Sequence, residues 1–295
     1  MSCAQEADPA ATGRTGGAGP PIASERSATT SSAAMPTLHV VIPFYNEQDT
    51  LEACLARVLA VPLPDGWVRN IVLVDDHSNM AASASAREVV ERAHRAGHPV
   101  TLLRHEINRG KGAAVRTGFD HVLTTRNVHG DPSTDAVIIQ DADLEYDPAD
   151  FSALLDPIRR GAAEAVFGTR WGTHRVVRGL RPVLHRLGNR TLTWISNRLT
   201  GLAVRDMECC YKVLTVPLLA RVRPHLTEDR FGIEPQIAAA IARTGCRIAE
   251  VPVSYDPRGI SEGKKIRMRD GVEALRVIWR ERRPPRGRRP ESVTS

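Results

Sequence analysis

The sequence predicts an α/β fold, a mixed but mostly parallel sheet with helices on both faces, and three observations carry that prediction. Short apolar runs recur along the chain, at Leu38–Ile42, Asn70–Val74, Thr101–His105, Ala136–Ile139 and Glu164–Gly168. Most are followed by a segment with apolar residues at helical spacing, the alternation that builds parallel sheets. The run Ala136–Ile139 is apolar at four successive positions, as a strand covered on both faces is. Two carboxylates one residue apart, Asp141 and Asp143, follow where that strand must end.

Taken in order, Leu38–Ile42 is a first strand, stopped by Pro43, and a helix runs from Glu47 with Leu51, Leu55, Val58 and Leu59 on one face. The turn between them, Pro43-Phe44-Tyr45-Asn46-Glu47, has no glycine, which excludes a dinucleotide-binding fingerprint there. A polar and aromatic turn suits a base or ribose. The second strand ends in Asp75-Asp76, and a helix follows from about Ala82 to Ala96. Asp76 is suited either to capping that helix or to bonding a ribose hydroxyl or base edge.

The third strand leads to Asn108-Arg109-Gly110-Lys111-Gly112, which opens a helix through Phe119 and Val122. Glycines and a lysine at a helix N-terminus suit an anion, but the spacing is not that of a Walker A loop. After the central strand come an amphipathic helix at Asp150–Arg160, a strand ending in Thr169-Arg170-Trp171, and one or two helices over Pro182–Leu199. Asp206–Leu214 reads as a strand entering from the far side. A helix over Glu234–Arg243, a last strand over Arg247–Ser254 with Pro252 marking an edge, a loop Arg258–Lys265 and a closing helix Arg269–Glu281 complete the chain.

The 295 residues divide into an extension over residues 1–36 without hydrophobic period and expected to be disordered, one domain over 37–282 and a basic tail over 283–295, also expected to be disordered. The N-terminus lacks the apolar core of a secretory signal, and no stretch approaches about 18 uncharged apolar residues. The expectation is a cytoplasmic protein, peripheral at the inner face of a membrane. Cys3, Cys54, Cys209, Cys210 and Cys246 have no C-x-x-C spacing and read as reduced thiols.

Net charge is +6, with eight arginines and no acid between Ala165 and Arg205, and seven arginines against Glu281 between Arg276 and Arg289. Such clusters fit a phosphate-rich partner or an anionic membrane surface. Nucleic acid is disfavoured: only four Phe, Tyr or Trp residues lie between Ala165 and Tyr211, and they form no stacking series.

Acids at the carboxyl ends of neighbouring strands face the ligand crevice of an open α/β sheet, and Mg²⁺ or Mn²⁺ takes carboxylate and phosphate oxygen. The competing reading of Asp141 and Asp143 is a turn before the helix that Pro148 introduces.

The ordered set V-I-P-F-Y-N-E, V-D-D-H-S, N-R-G-K-G-A-A, Q-D-A-D-L-E-Y-D-P, G-T-R, D-M-E-C-C-Y-K-V and E-G-K-K-I, from Leu38 to about Arg280, resembles family 2 glycosyltransferases of the GT-A fold. The closest likeness is to the dolichyl-phosphate mannosyltransferase-like, polyprenyl-phosphate branch. The resemblance implies that Pro43, Tyr45, Asn46, Glu47, Asp75 and Asp76 line the nucleoside of a UDP- or GDP-hexose, with Asn108, Gly110 and Lys111 beside it. It implies that Gln140-Asp141-Ala142-Asp143 holds the metal on the diphosphate, and that Arg258, Lys264 and Lys265 close over the phosphates. The C-terminal membrane helices of many relatives have no counterpart in this sequence.

The expected reaction is hexose transfer with inversion at the anomeric carbon. A polyprenyl phosphate acceptor is already anionic and needs no base, with Arg170, Arg175 and Arg190 placed to dock it. A hydroxyl acceptor needs a carboxylate base, for which Asp229 and Glu234 are the candidates. The readings from other classes are a non-catalytic basic binding protein and a sugar nucleotidyltransferase, which would be expected to show a glycine-rich loop where Phe44-Tyr45-Asn46 stands.

Overall fold

The computed structural model describes residues 35–125, 135–171, 180–257, 268–282 and 292–293. The extension up to residue 34, Arg175, Arg258, Lys264, Lys265 and most of the basic tail lie outside them. The strands are β1 (Thr37–Phe44), β2 (Val68–Asp75), β3 (Val100–Arg104), β4 (Ala136–Ile139), β5 (Ala165–Thr169), β6 (Lys212–Thr215), β7 (Ile248–Pro252) and the two-residue β8 (Ser292–Val293). The helices are α1 (Leu51–Ala60), α2 (Met80–Arg95), α3 (Lys111–Thr125), α4 (Phe151–Arg159), α5 (Leu180–Thr200), α6 (Val216–Val222), α7 (Ile233–Thr244) and α8 (Met268–Arg280).

One sheet runs β3-β2-β1-β4-β6-β5-β7-β8. Only β6 is antiparallel, to β4 on one side and β5 on the other. The carboxyl ends of the other strands therefore share one edge. Every residue of β4 and β5 is buried, and alternate residues point to opposite faces, so both faces are covered. From β1 the chain steps outward through β2 and β3, then returns to the other flank of β1 at β4. That reversal opens a crevice outside the carboxyl ends of β1 and β4, the place where such sheets bind ligands.

Several elements differ from the sequence expectation. Pro43 does not stop β1, which continues to Phe44 alongside Val74 and Asp75 of β2. The ladder with β4 has already ended, its last bond running from Gln140 N–H to Val41 O at 2.9 Å, so the missing proline N–H leaves no gap on that side. Asp206–Tyr211 is irregular and only Lys212–Thr215 forms strand, because Asp206 is occupied by side-chain partners described below. Of the one or two helices expected over Pro182–Leu199, the structure has one, α5. The tail contributes Ser292 and Val293 to the sheet beside Ile248 and Ala249, where β7 would otherwise present an open edge. Pro252 lies beyond that pairing, as its missing donor requires.

Candidate active site

The site grows from the first turns after β1, β2 and β4. Asn46, His77 and Leu144 adopt positive φ of 55°, 64° and 65°, and they are the three non-glycine residues to do so among the described residues. Strained backbone gathered at one sheet edge marks a functional edge. Asn46 ties two of these turns together: its N–H donates to Ser78 Oγ at 2.9 Å and its Oδ1 accepts from Asn79 N–H at 2.8 Å. Tyr45 beside it is 39% exposed, while Pro43 is buried and Glu47 half-buried.

Asp75 and Asp76 are buried and fully employed in holding loops. Asp75 accepts from Ser78 N–H and Ser83 Oγ, both at 2.7 Å. Asp76 accepts from Arg109 N–H at 2.9 Å and Gly110 N–H at 2.7 Å, and His105 Nδ1 stands 2.7 Å from it. Asn108 donates to the Asp76 carbonyl at 3.0 Å. Asp76, expected either to cap α2 or to bond a ribose hydroxyl or base edge, anchors the entry to α3, and the cap of α2 is Asn79.

Gly110 and Gly112 are glycine for a different reason from the expected open phosphate cradle. A Cβ on Gly110, at φ +103°, would stand 2.4 Å from Asp229 O, and one on Gly112 2.3 Å from Glu228 O. The backbone of residues 228–230 lies directly on the start of α3, and Ala113 N–H donates to Asp229 O at 3.0 Å. One of the N–H groups of the first turn is thus taken by the protein itself.

This packing delivers Lys111 to the crevice. Its Nζ lies 2.8 Å and 2.9 Å from the two carboxylate oxygens of Asp141, and 3.1 Å from Oε1 of Glu234. Glu234 Oε2 is in turn 2.5 Å from Nζ of Lys212, which has no exposure and also donates to Cys209 O. Two lysines and two carboxylates alternate in a chain. Burial works against the charge on each lysine, and the neighbouring carboxylates outweigh it, holding both ammonium groups above the usual range.

Asp143 lies two residues beyond Asp141 and feels both that carboxylate and Lys111. Burial first, then Asp141 and Glu145, push its carboxyl up to about 7, while Glu145 N–H donates to it at 3.1 Å. Gln140 and Ala142 are buried: Gln140 donates to Asp141 O at 2.9 Å and accepts from Tyr211 Oη at 2.6 Å, fixing the turn from below. No group of three or more metal-ligating side chains occurs among the described residues. Two carboxylates are nonetheless the donor set that suits Mg²⁺ or Mn²⁺ when phosphate and water complete the shell.

The arginine side is arranged differently from expectation. Arg170 is not available as an open phosphate clamp, since Asp206 receives its Nε at 2.7 Å and Nη2 at 2.8 Å, as well as its backbone N–H. Asn189 of α5 donates to the same carboxylate at 3.0 Å. Burial opposes the ionisation of Asp206, and Arg170 more than offsets it, keeping the carboxyl below its usual range. The Arg170 guanidinium also lies over the ring of Tyr255, 5.2 Å from its centre. Arg190 is exposed on α5. Asp229 forms an ion pair with Arg116 and is not linked to Asp141.

Sequence reasoning passed over Lys212, Asp206 and Glu208 as site residues. A lysine between Cys209-Cys210-Tyr211 and Val213-Leu214 carried the signal, because a charge enclosed by apolar neighbours on both sides is buried and must be paired. The four cysteines among the described residues are all free and buried, as expected.

Residues 39–218 match Glycosyl transferase family 2. The chain belongs to that family. It is 30% identical over 226 residues to an undecaprenyl-phosphate 4-deoxy-4-formamido-L-arabinose transferase of Edwardsiella ictaluri, covering 76% of this chain and 62% of the relative. It is 29% identical over 220 residues to glycosyltransferase AglJ of Haloferax volcanii, covering 74% of this chain and 63% of the relative. The matched region thus spans under two thirds of both. Among solved structures, glucosyl-3-phosphoglycerate synthase of Mycobacterium tuberculosis, in complex with Mn²⁺, uridine diphosphate and phosphoglyceric acid, superposes with a TM-score of 0.56 at 18% identity. That likeness covers 85% of this chain and 80% of the synthase, and it shows the fold. No described helix is long and apolar enough to cross a membrane.

Proposed function

We propose that this family 2 glycosyltransferase moves a hexose from a UDP- or GDP-sugar to the phosphate of a polyprenyl phosphate, working peripherally at the cytoplasmic face of a membrane. The observation that carries the reading is the placement of Asp141, Asp143 and Lys111 together at the crevice between β1 and β4. The relatives' names support a polyprenyl phosphate acceptor, and the manganese and uridine diphosphate of the solved synthase support the donor class.

In this reading a phosphate oxygen of the acceptor attacks the anomeric carbon, the bond from that carbon to the diphosphate breaks, and the nucleoside diphosphate leaves with the electron pair. Direct displacement inverts the anomeric centre. Asp141 and Asp143 would hold a divalent ion, which supplies positive charge to the diphosphate. Lys111 adds a second cation, and fixed charge aimed at a developing anion is the strongest aid a site of this kind offers. Tyr45, exposed just beyond β1, would cover the base.

Both carboxylates expected as general bases for a hydroxyl acceptor are ion-paired, Asp229 with Arg116 and Glu234 with Lys111 and Lys212. This favours an acceptor that arrives without a proton to lose. One observation favours the hydroxyl acceptor instead: burial and the nearby Glu234 push the carboxyl of Glu208 up to about 7, and its Oε1 is buried without a hydrogen-bond partner. A carboxyl titrating there is suited to base catalysis.

The test is incubation with labelled UDP- and GDP-hexoses, Mn²⁺ and polyprenyl phosphate, followed by organic extraction and NMR of the product anomer. A lipid-linked, acid-labile sugar that Asp143→Asn cannot make is the expected result. No lipid product with any donor overturns the acceptor, and full activity of Asp143→Asn removes that carboxylate from the reaction. Transfer to a hydroxyl acceptor that Glu208→Gln abolishes would establish the second reading.

A further inference from the structure

The outer faces of α5 and α8 take no part in the donor site, yet half of the large apolar side chains that are exposed among the described residues lie on them. On α5, Leu187, Arg190, Trp194 and Arg198 follow at steps of three and four residues and are all exposed, Leu187 by 60% and Trp194 by 67%. On α8, Val272, Leu275, Arg276 and Trp279 do the same, with Val272 exposed by 57% and Trp279 by 62%. The two helices pack against each other. Single exposed apolar residues are ordinary on a protein surface; two adjoining stripes of them are not.

The chemistry of the stripes selects the partner. Tryptophan and leucine interleaved with arginine is the composition of helices that lie in a bilayer interface, with the rings at headgroup depth and guanidinium groups on lipid phosphate. No acidic residue is exposed on either helix among the described side chains: Glu281, just past α8, is buried, and Glu273 is half-buried. Arg282 stacks on the ring of Trp279, its guanidinium carbon 3.6 Å from the ring centre.

The inner faces of the same helices reach the site. Asn189 and Thr193 of α5 hold Asp206 and Met207, at 3.0 Å and 3.2 Å. Val277 of α8 abuts Gly232, two residues before Glu234. A surface resting on the outside of α8 would lie about one helix diameter, roughly 10 Å, from that segment.

We propose that the exposed faces of α5 and α8 form a docking surface for an anionic lipid bilayer. The surface deepens the lipid-acceptor reading, because it would seat the protein where a membrane-dissolved phosphate can enter. It is tested without any sugar donor, so its failure is separate from failure of that reading.

The experiment is co-sedimentation of the full chain with vesicles of phosphatidylcholine alone and of phosphatidylcholine with phosphatidylglycerol, together with tryptophan quenching by brominated lipid. Binding to the anionic vesicles is expected, at least tenfold weaker for Trp194→Ser/Trp279→Ser and for Arg190→Gln/Arg276→Gln, with melting temperatures checked to confirm folding. The two pairs serve as independent variants should one fail to fold. No binding of the unaltered chain overturns the proposal. So does binding that neither pair weakens, which would place attachment on basic segments elsewhere. A dimer in solution that the tryptophan pair dissociates would assign the surface to a second copy and overturn it as well.

Discussion

Lys111 Nζ lies 2.8 Å and 2.9 Å from the two oxygens of Asp141, so one ammonium engages both oxygens of a carboxylate that a divalent ion would need. Glu234 Oε1, 3.1 Å away on the other side, is placed to receive that ammonium when Asp141 is taken over. Removing the lysine charge therefore has opposite effects on metal and on turnover. In Lys111→Met, Mn²⁺ titrated by electron paramagnetic resonance without donor should bind more tightly, by about tenfold or 1.4 kcal/mol. Sugar transfer should fall by about 10²- to 10³-fold, the scale for loss of one charge-stabilising group. Weaker Mn²⁺ binding in this variant would show that Lys111 does not compete for Asp141.

Lys212 has no exposure and holds Glu234 Oε2 at 2.5 Å. Breaking a buried ion pair from one side costs about 3–5 kcal/mol where the partner charge is left uncompensated, and Lys111, 3.1 Å from Glu234 Oε1, sets the loss at the lower end here. Lys212→Met should show that loss in denaturant unfolding, and adding Glu234→Gln should recover part of it. If the double variant is no more stable than Lys212→Met alone, the two side chains are not energetically coupled.

Gly112 admits no side chain because residues 228–230 pass over it: a Cβ would stand 2.3 Å from Glu228 O, 2.8 Å from Arg230 O and 2.9 Å from the Asp229 carbonyl carbon. All three are backbone atoms, so relief requires the loop to move. Gly112→Ala should destabilise by about 1–3 kcal/mol and displace Lys111. A variant with unchanged melting temperature and donor affinity would contradict this close approach.

Glu208 gives stability a pH dependence of definite sign. Burial and Glu234 raise its carboxyl from 4.5 to about 7 in the folded protein. Between those values the folded chain holds a proton that the unfolded chain has lost, so this group's contribution to stability declines as pH rises through the window. Glu208→Gln removes the buried charge and should raise the melting temperature more at pH 8 than at pH 5. An equal shift at both pH values would place the titration elsewhere.

Much of the crevice between β1 and β4 was legible from residue order alone. Four apolar residues followed by Asp141 and Asp143 announced a buried strand with acids at its carboxyl end, and the structure puts them beside the end of β1. Lys111 was legible as a cation at the start of a helix, although not as the partner of Asp141. The arginine-rich side was less legible. Arg170 read as a free phosphate ligand, and Asp206, 36 residues later, takes its guanidinium with two hydrogen bonds. Asp76 read as a helix cap or as a ligand for a base edge or ribose hydroxyl, and its hold on the backbone of Arg109 and Gly110 was not legible.

The sequence by itself determined which segments become strands and helices, because apolar spacing along a chain is a local property that burial must respect. It also determined the chemical character of the sheet's carboxyl edge. Only the tertiary structure decided which charges face a substrate and which are neutralised within the protein. A carboxylate 2.7 Å from a guanidinium has already spent its charge, and that distance depends on where segments remote in the chain come to rest. For the same reason, only the fold could leave Trp194 and Trp279 on adjoining outer helix faces while drawing Lys212 into the interior.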